Sequence, residues 1–141
     1  MNTNKKVYIA GPLFSEAELD FNKNLKEAVA KKGFTVYLPQ ENSEDTAHMR
    51  HEHKQNYIFQ QNVEIIDDSD IILAVLDGAD VDSGTAWEIG YAYAKGKSIF
   101  GLRTDFRTLG SEGMINLMID QSADAIAFDI PGILEILKQY T

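Results

Sequence analysis

The segment that most constrains the fold is an uninterrupted apolar run in the middle of the chain, Ile71-Ile72-Leu73-Ala74-Val75-Leu76. A strand with one face in water alternates apolar and polar residues, whereas this run is apolar on both faces. Continuous hydrophobicity of this length is typical of a strand at the centre of a parallel sheet that helices cover on both sides. We therefore predict that this run is the central strand of such a sheet.

Strand-like and helix-like patterns alternate along the rest of the chain. Four more short apolar segments have the length of strands, at residues 5–10, 34–38, 98–102 and 125–128. The amphipathic stretches between them predict helices from the capping box Ser15-x-x-Glu18 to Gly33, over 54–67, 84–95 and 114–121, and from Pro131 to Tyr140. The alternation predicts an α/β fold, a flavodoxin-like doubly wound sandwich with a five-stranded, mainly parallel sheet. The 141 residues suit a single domain, 1–141.

The loops that follow the strands are the expected place for a site. Right-handed crossovers bring the carboxyl ends of parallel strands to one edge of the sheet. The loops at that edge are residues 11–15, the stretch from Pro39 onward, 77–85 and 103–116. The polar stretch 40–53 has no apolar periodicity, and we predict a long loop facing the ligand.

Composition excludes several classes of function. The chain has no Cys, which excludes disulfides, thiolate nucleophiles and Cys-ligated metals. With 13 Lys and Arg against 22 Asp and Glu, the net charge is −9, which repels nucleic acids and anionic membranes. The longest apolar run is far shorter than a membrane helix, and the N-terminus does not fit a signal peptide. We expect a soluble cytoplasmic protein whose partners are neither nucleic acid nor membrane.

The sequence lacks the motifs of three common kinds of site: a nucleotide-binding loop, a histidine metal site and a serine nucleophile elbow. The loop after the first strand, Ala10-Gly11-Pro12-Leu13-Phe14-Ser15, is neither a G-x-G-x-x-G loop nor a Walker loop. His48, His51 and His53 lie in the polar stretch without His-Glu-x-x-His spacing, which favours solvated side chains over a metal site. No Ser occupies a G-x-S-x-G elbow. We expect neither a metal nor an organic cofactor.

The segment after the central strand carries three carboxylates, Asp77, Asp80 and Asp82, and then a helix with Glu88 one turn in. Glu88 can point into a crevice over the strand ends, where the helix N-terminus would lower its pKa and keep it ionised and nucleophilic. Equally, Thr85-x-x-Glu88 is a capping box in which Glu88 only bonds back to the helix start. Asp80 and Asp82 can be solvated loop residues. For Trp87 and Tyr91 we expect positions in the core.

Four segments together resemble one known family. They are Val7-Tyr8-Ile9-Ala10-Gly11-Pro12-Leu13-Phe14, Tyr37-Leu38-Pro39-x-x-Asn42, Asp82-Ser83-Gly84-Thr85-Ala86-Trp87-Glu88-Ile89-Gly90-Tyr91-Ala92 and Gly113-Met114-Ile115-Asn116-Leu117-Met118. In this order, over nearly the whole chain, they resemble the nucleoside 2-deoxyribosyltransferase family. The resemblance implies a flavodoxin-like fold and an enzyme that transfers a 2-deoxyribosyl group between a 2′-deoxynucleoside and a free nucleobase.

The resemblance also implies roles for three catalytic residues. Glu88 matches the family's nucleophile, a carboxylate that attacks the anomeric carbon and forms a glycosyl ester, as in retaining glycosidases. Tyr8 matches the tyrosine that orients this nucleophile. Asp82 matches an aspartate near the sugar and the base, and is a candidate proton donor if its neighbours raise its pKa.

Further positions are implied to bind the substrate. Phe14 would line the base pocket, Gln40, Glu41 and Asn42 lie where the family reads the base edge, and Gly11, Ser83 and Gly84 belong to the matched loops. Asn116 and Met118 match residues that the family contributes across a subunit interface to the sugar end of the neighbouring site, which implies at least a homodimer. A helix contact within one chain is the alternative for these two residues.

One departure from the family keeps alternatives open. Where many relatives carry an aspartate that helps to protonate the base, this chain has Asn62, whose amide can hold a base but cannot protonate it at neutral pH. Asp82 or water would then have to deliver the proton, and a non-catalytic nucleotide-binding sensor stays open as an alternative. A separate alternative of the same architecture is an N-glycosidase that gives the sugar to water, acting on nucleosides or 5′-monophosphates. Relatives that act on monophosphates carry Ser at the position of Asp82. Because the Asp82 carboxylate would repel a phosphate, the resemblance favours uncharged nucleosides as substrates.

Overall fold

All five strands form one parallel sheet in the order β2-β1-β3-β4-β5. The computed structural model describes residues 4–140, apart from the side chains of 42–45 and 112. The strands are β1 (Lys6–Ala10), β2 (Thr35–Tyr37), β3 (Ile71–Val75), β4 (Ser98–Leu102) and β5 (Ala125–Ala127). The continuous apolar run forms β3, which lies in the centre of the sheet with all five residues buried. The predicted doubly wound α/β fold is confirmed.

Five α-helices connect and follow the strands: α1 (Glu16–Ala30), α2 (His51–Asp68), α3 (Ser83–Ala94), α4 (Leu117–Ser122) and α5 (Ile130–Lys138). The predicted capping box begins α1, because Ser15 accepts from the Glu18 amide and Glu18 bonds back to Ser15. At α5, Asp129 caps the N-terminus and Pro131 lies in the first turn, where its missing N–H costs nothing.

The pleat of the sheet separates two apolar layers. Val7 and Ile9 of β1 face α1 and α5, where they pack with Leu25 and Ile133. Tyr8 and Ala10 face the opposite layer, which contains apolar residues of α2, α3 and α4 such as Ile66, Ile89 and Ile119. Tyr8 therefore points to the side of the sheet that carries α3.

Two boundary predictions were wrong. The stretch 40–53, predicted as a long loop, instead forms most of a 3-10 helix, Pro39–Thr46, and the first turn of α2. The polar composition of the 3-10 helix gives no apolar periodicity from which a helix could be predicted. The start of α2 is equally hard to predict, because its N-cap residue Arg50 makes no side-chain capping hydrogen bond. Likewise α4 begins at Leu117 rather than near Met114, because the Asn116 side chain caps it.

The strand order places a crevice between β1 and β3. The chain leaves β1 for β2 on one side and later returns to β3 on the other, so the connections diverge between these two strands. Parallel sheets of this kind bind ligands at such a point, beyond the carboxyl ends of the strands. Across residues 4–140, none of the helices combines the length and the apolar character that crossing a membrane requires.

Candidate active site

A cavity of about 400 Å³ opens at the carboxyl ends of β1 and β3. The loop after β1, the middle of α2 and the first turns of α3 form its walls. The lining residues are Gly11, Leu13, Phe14, Ile58, Phe59, Asn62, Val63, Ile66, Asp82, Gly84, Thr85, Trp87 and Glu88. Most of this surface is apolar, and the carboxylates of Asp82 and Glu88 are its charged groups.

Close packing brings the loop after β1 against β3. A Cβ placed on Gly11 would lie 2.9 Å from the Cβ of Val75, which is closer than side chains approach one another. Only glycine therefore lets the chain turn here without moving β3. The turn carries Phe14 to the cavity, which it lines while 75% of the residue stays exposed.

Tyr8 and Glu88 form a hydrogen-bonded pair next to the cavity. The fully buried Tyr8 donates its hydroxyl hydrogen to Oε2 of Glu88. The Tyr8 ring stacks on Tyr37 of β2 with ring centroids 5.5 Å apart and planes 16° apart. Because β1 and β2 hold both rings, the hydroxyl that meets Glu88 has a fixed position.

The environment of Glu88 raises its pKa to about 7. Burial is the largest cause, since it disfavours the charged form, and the negative charge of Asp82 acts in the same direction. The hydrogen bond from Tyr8 opposes both effects. The expectation that the helix N-terminus would lower the pKa of Glu88 was therefore wrong: desolvation outweighs it. Burial and the Glu88 charge raise the pKa of Tyr8, which keeps it a neutral donor.

Asp82 has a second role as the N-cap of α3. Its Oδ2 accepts hydrogen bonds from the backbone N of Thr85 at 3.0 Å and from Thr85 Oγ1 at 3.1 Å. The capping-box interpretation of Thr85 and Glu88 was therefore wrong, because the helix begins at Ser83 and the Glu88 carboxylate bonds to Tyr8.

A network around Arg103 holds the loop that leads to Asp82. The Arg103 side chain is 1% exposed and its Nη1 donates to the carbonyl oxygens of Leu76 at 2.6 Å and Gly78 at 2.9 Å. In return, Asp77 Oδ1 accepts from the backbone N of Thr104 at 2.7 Å and of Asp105 at 3.0 Å. The loops after β3 and β4 are thus bonded to each other.

Six of the expected site residues line the cavity, and a seventh is hydrogen-bonded to one of them. The six are Gly11, Phe14, Asn62, Asp82, Gly84 and Glu88. Tyr8 reaches the site through its hydrogen bond to Glu88. The tertiary structure therefore brings together residues from β1, α2 and α3 that lie far apart in the sequence.

The remaining candidates lie outside the cavity lining. The Gln40 side chain accepts from Asn22 Nδ2 at 3.1 Å and donates to the Leu19 carbonyl oxygen at 3.0 Å, which ties it to α1. Ser83 is the exposed first residue of α3, and the side chain of Asn42 lies outside the described part of the structure. Their roles at a ligand stay predictions.

Asn116 and Met118 line a separate depression together with Asp80 and Val81. Asn116 Oδ1 accepts from the Met118 backbone N at 2.9 Å, so within the chain it caps α4. Met118 is 68% exposed. A role for both residues at a neighbouring subunit stays a prediction.

Sequence reasoning missed the apolar wall of the cavity. Phe59 and Trp87 line it, although Trp87 was expected in the core and is 48% exposed. Ile58 and Val63 of α2 complete this wall. The signal was present in α2, which carries apolar residues at 58, 59, 63, 65 and 66, a wider band than one face against a sheet requires.

Comparisons with known proteins agree with this architecture. The family model described as nucleoside 2-deoxyribosyltransferase matches residues 7–126. A 2-deoxyribosyltransferase from Bacillus psychrosaccharolyticus has a similar structure, with a TM-score of 0.80 and 29% identity, covering 91% of this chain and 89% of its own. The structure of a conserved protein from Enterococcus faecalis also has a TM-score of 0.80, with 31% identity, and the match covers 98% of this chain and 99% of the Enterococcus chain. A CMP N-glycosidase from Clostridium botulinum shares the fold at a TM-score of 0.59 and 24% identity, covering 97% and 100%.

Proposed function

The chain belongs to the nucleoside 2-deoxyribosyltransferase family, and from this membership we propose that it moves a 2-deoxyribosyl group from one nucleobase to another through an ester on Glu88. The observation that carries the proposal is the position of Glu88, which is held by Tyr8 and lines a cavity large enough for a nucleoside. The whole chain, 1–141, would act as one domain of this family, in the cytoplasm.

The reaction needs two displacements at the anomeric carbon. An Oε atom of ionised Glu88 attacks C1′, the bond from C1′ to the base nitrogen breaks, and the base leaves with the electron pair and takes up a proton. An incoming base then attacks C1′ with its ring nitrogen, the ester C–O bond breaks, and the carboxylate of Glu88 is restored as the new base loses a proton. Because each displacement inverts C1′, the product retains the starting configuration.

Asp82 is the proposed group for moving the proton. It lines the same cavity as Glu88, and its charge acts on the Glu88 carboxylate. Asn62 of α2 lines the same cavity, and its amide can accept hydrogen bonds from a base and donate hydrogen bonds to it without changing its protonation. A second copy of the chain would supply Asn116 and Met118 at the sugar end, as the family resemblance implies.

Hydrolysis of a nucleoside 5′-monophosphate is the second candidate, and the fold shared with the CMP N-glycosidase supports it. The charges of the site oppose it. None of the described residues that line the cavity is Lys, Arg or His. At the N-terminus of α3, where a phosphate would be favoured, the Asp82 carboxylate already accepts the Thr85 N–H. An uncharged nucleoside therefore suits this cavity better.

A chromatographic time course tests the proposal. The protein is incubated with 2′-deoxyinosine or thymidine, with and without adenine, alongside the Glu88→Gln variant. We expect 2′-deoxyadenosine to form only with the unaltered protein and the acceptor base. Free base without a new nucleoside would identify a hydrolase, and 2′-deoxycytidine 5′-monophosphate in a parallel incubation separates nucleoside from nucleotide substrates. If no glycosidic bond breaks in any incubation, the protein is not an enzyme of this class.

A further inference from the structure

Phe59 and Trp87 form an aromatic corner on the wall of the cavity that holds Glu88. Their ring centroids are 5.3 Å apart and their planes meet at 63°, an edge-to-face contact between α2 and α3. Phe59 is 49% exposed and Trp87 is 48% exposed. Two large rings thus leave about half of their surface uncovered by the chain where they border the cavity.

The indole of Trp87 also packs against a second aromatic ring of α3. It stacks on Tyr91 with centroids 5.3 Å apart and planes 6° apart. The Tyr91 hydroxyl donates to Asp67 Oδ1 at 2.7 Å, and Nζ of Lys95 lies 5.4 Å from the centroid of the same ring. Because Tyr91 and Asp67 restrain the Trp87 ring, the ring loses little conformational entropy when a ligand packs on it.

We propose that Trp87 is a specificity-determining residue that packs against the ring of the nucleobase. This inference rests on the proposed function, which places the anomeric carbon at Glu88, the next residue in the chain. A base presents a flat π face that stacks well on indole, and the proposed function already places the sugar's anomeric carbon at the Glu88 carboxylate. The aromatic corner therefore suits the base end of the substrate.

Trp87 is the only tryptophan in the chain, so its emission reports on the corner directly. We titrate the Glu88→Gln variant, which under the proposed function binds without turnover, with adenine, with thymine and with free 2-deoxyribose. The bases should quench the tryptophan emission in a saturable way, and 2-deoxyribose should leave it unchanged. Emission that stays constant through the adenine and thymine titrations would overturn the assignment.

Kinetics of substituted proteins give a second readout. Trp87→Leu should raise KM for the acceptor base by about tenfold, the order expected for losing one base–aromatic stack, with a smaller effect on kcat. Trp87→Phe should recover part of the loss, because it keeps an aromatic face. Tyr93→Leu is the matched control, since Tyr93 is a 60% exposed aromatic residue of the same helix outside the cavity lining. It should leave KM unchanged.

The outcomes separate this inference from the proposed function. Transfer activity with an unchanged KM in Trp87→Leu and no quenching overturns the role of Trp87 alone. Saturable quenching without cleavage of any glycosidic bond overturns the transferase and keeps Trp87 as a base contact. Size-exclusion chromatography accompanies both variants, and a change of oligomeric state caused by Trp87→Phe would show that Trp87 is a subunit contact and overturn the inference.

Discussion

The hydroxyl of Tyr8 and the carboxylate of Glu88 are hydrogen-bonded across the interface of the sheet and α3, although 80 residues separate them in the chain. This contact keeps a partly buried acid close to a buried neutral donor. Burial and Asp82 push the pKa of Glu88 up to about 7 while Tyr8 pulls it down. The charge of Glu88 at neutral pH therefore depends on three identifiable interactions, and each of them can be changed separately.

The first prediction concerns stability. Folding raises the pKa of Glu88 from 4.5 to about 7, so the folded protein holds this proton more tightly than the unfolded chain. Raising the pH through that window lowers the free energy of unfolding, by at most about 3 kcal/mol. Glu88→Gln removes the cost of burying an ionised carboxylate, because glutamine is uncharged at every pH. Thermal unfolding should show Glu88→Gln more stable than the unaltered protein at about pH 8, with little difference at about pH 4. Equal differences at the two pH values would contradict the shifted pKa.

The second prediction is the pH dependence of activity. Under the proposed function the Glu88 carboxylate must be ionised to attack, so the acidic limb of kcat/KM should rise with pH through the Glu88 pKa of about 7. Asp82→Asn removes the neighbouring charge that raises this pKa and should move the midpoint to lower pH, even though the maximal rate falls. Asn keeps the ability to cap α3. A midpoint that does not move would show that Asp82 exerts no electrostatic effect on Glu88.

The third prediction concerns Tyr8→Phe. The change deletes the hydroxyl that lowers the pKa of Glu88, so the midpoint of the rate profile should move upward, opposite to the effect of Asp82→Asn. At neutral pH, kcat/KM should fall by roughly ten- to a hundredfold, because less Glu88 is ionised and the carboxylate loses its orienting partner. An unchanged rate profile would mean that the hydroxyl of Tyr8 serves packing alone.

The fourth prediction separates the two roles of Asp82. Asp82→Ala removes the N-cap of α3 and should lower the free energy of unfolding by about 1 kcal/mol, whereas Asp82→Ser keeps an oxygen that can accept the Thr85 N–H. Denaturant unfolding should therefore give a higher free energy of unfolding for Asp82→Ser than for Asp82→Ala. Under the proposed function both variants lose transfer activity, and a fully active Asp82→Ser protein would exclude Asp82 as the proton donor.

The fifth prediction addresses Arg103. Arg103→Met keeps most of the side-chain volume but leaves the carbonyl oxygens of Leu76 and Gly78 without their buried donor. The free energy of unfolding should fall by about 3 kcal/mol, as expected for breaking a buried charged network. Arg107→Gln is the control, since the Arg107 side chain is 60% exposed and its loss should cost little. Similar losses in the two variants would argue against a special role for burial at Arg103.

Local patterns in the sequence determined much of the architecture. The apolar run of β3, the alternation of strands with amphipathic helices and the Ser15 capping box are properties of neighbouring residues, and all three predictions were confirmed. The segment around Glu88 was also recognisable, because its small residues and carboxylates directly follow the central strand. Periodicity and capping depend on residues within a few positions of each other, which is why they can be read along the chain.

Only the tertiary structure decided which group the Glu88 carboxylate bonds to. Two interpretations of this residue were compatible with the sequence, and they differ in whether its carboxylate bonds to its own helix or to another element. The answer depends on β1, which presents Tyr8 to α3, and on Asp82, which caps the helix in place of Thr85. The pKa of Glu88 likewise follows from burial, which the sequence does not record. Contacts between distant elements and the desolvation they cause arise only when the sheet and its helices pack together.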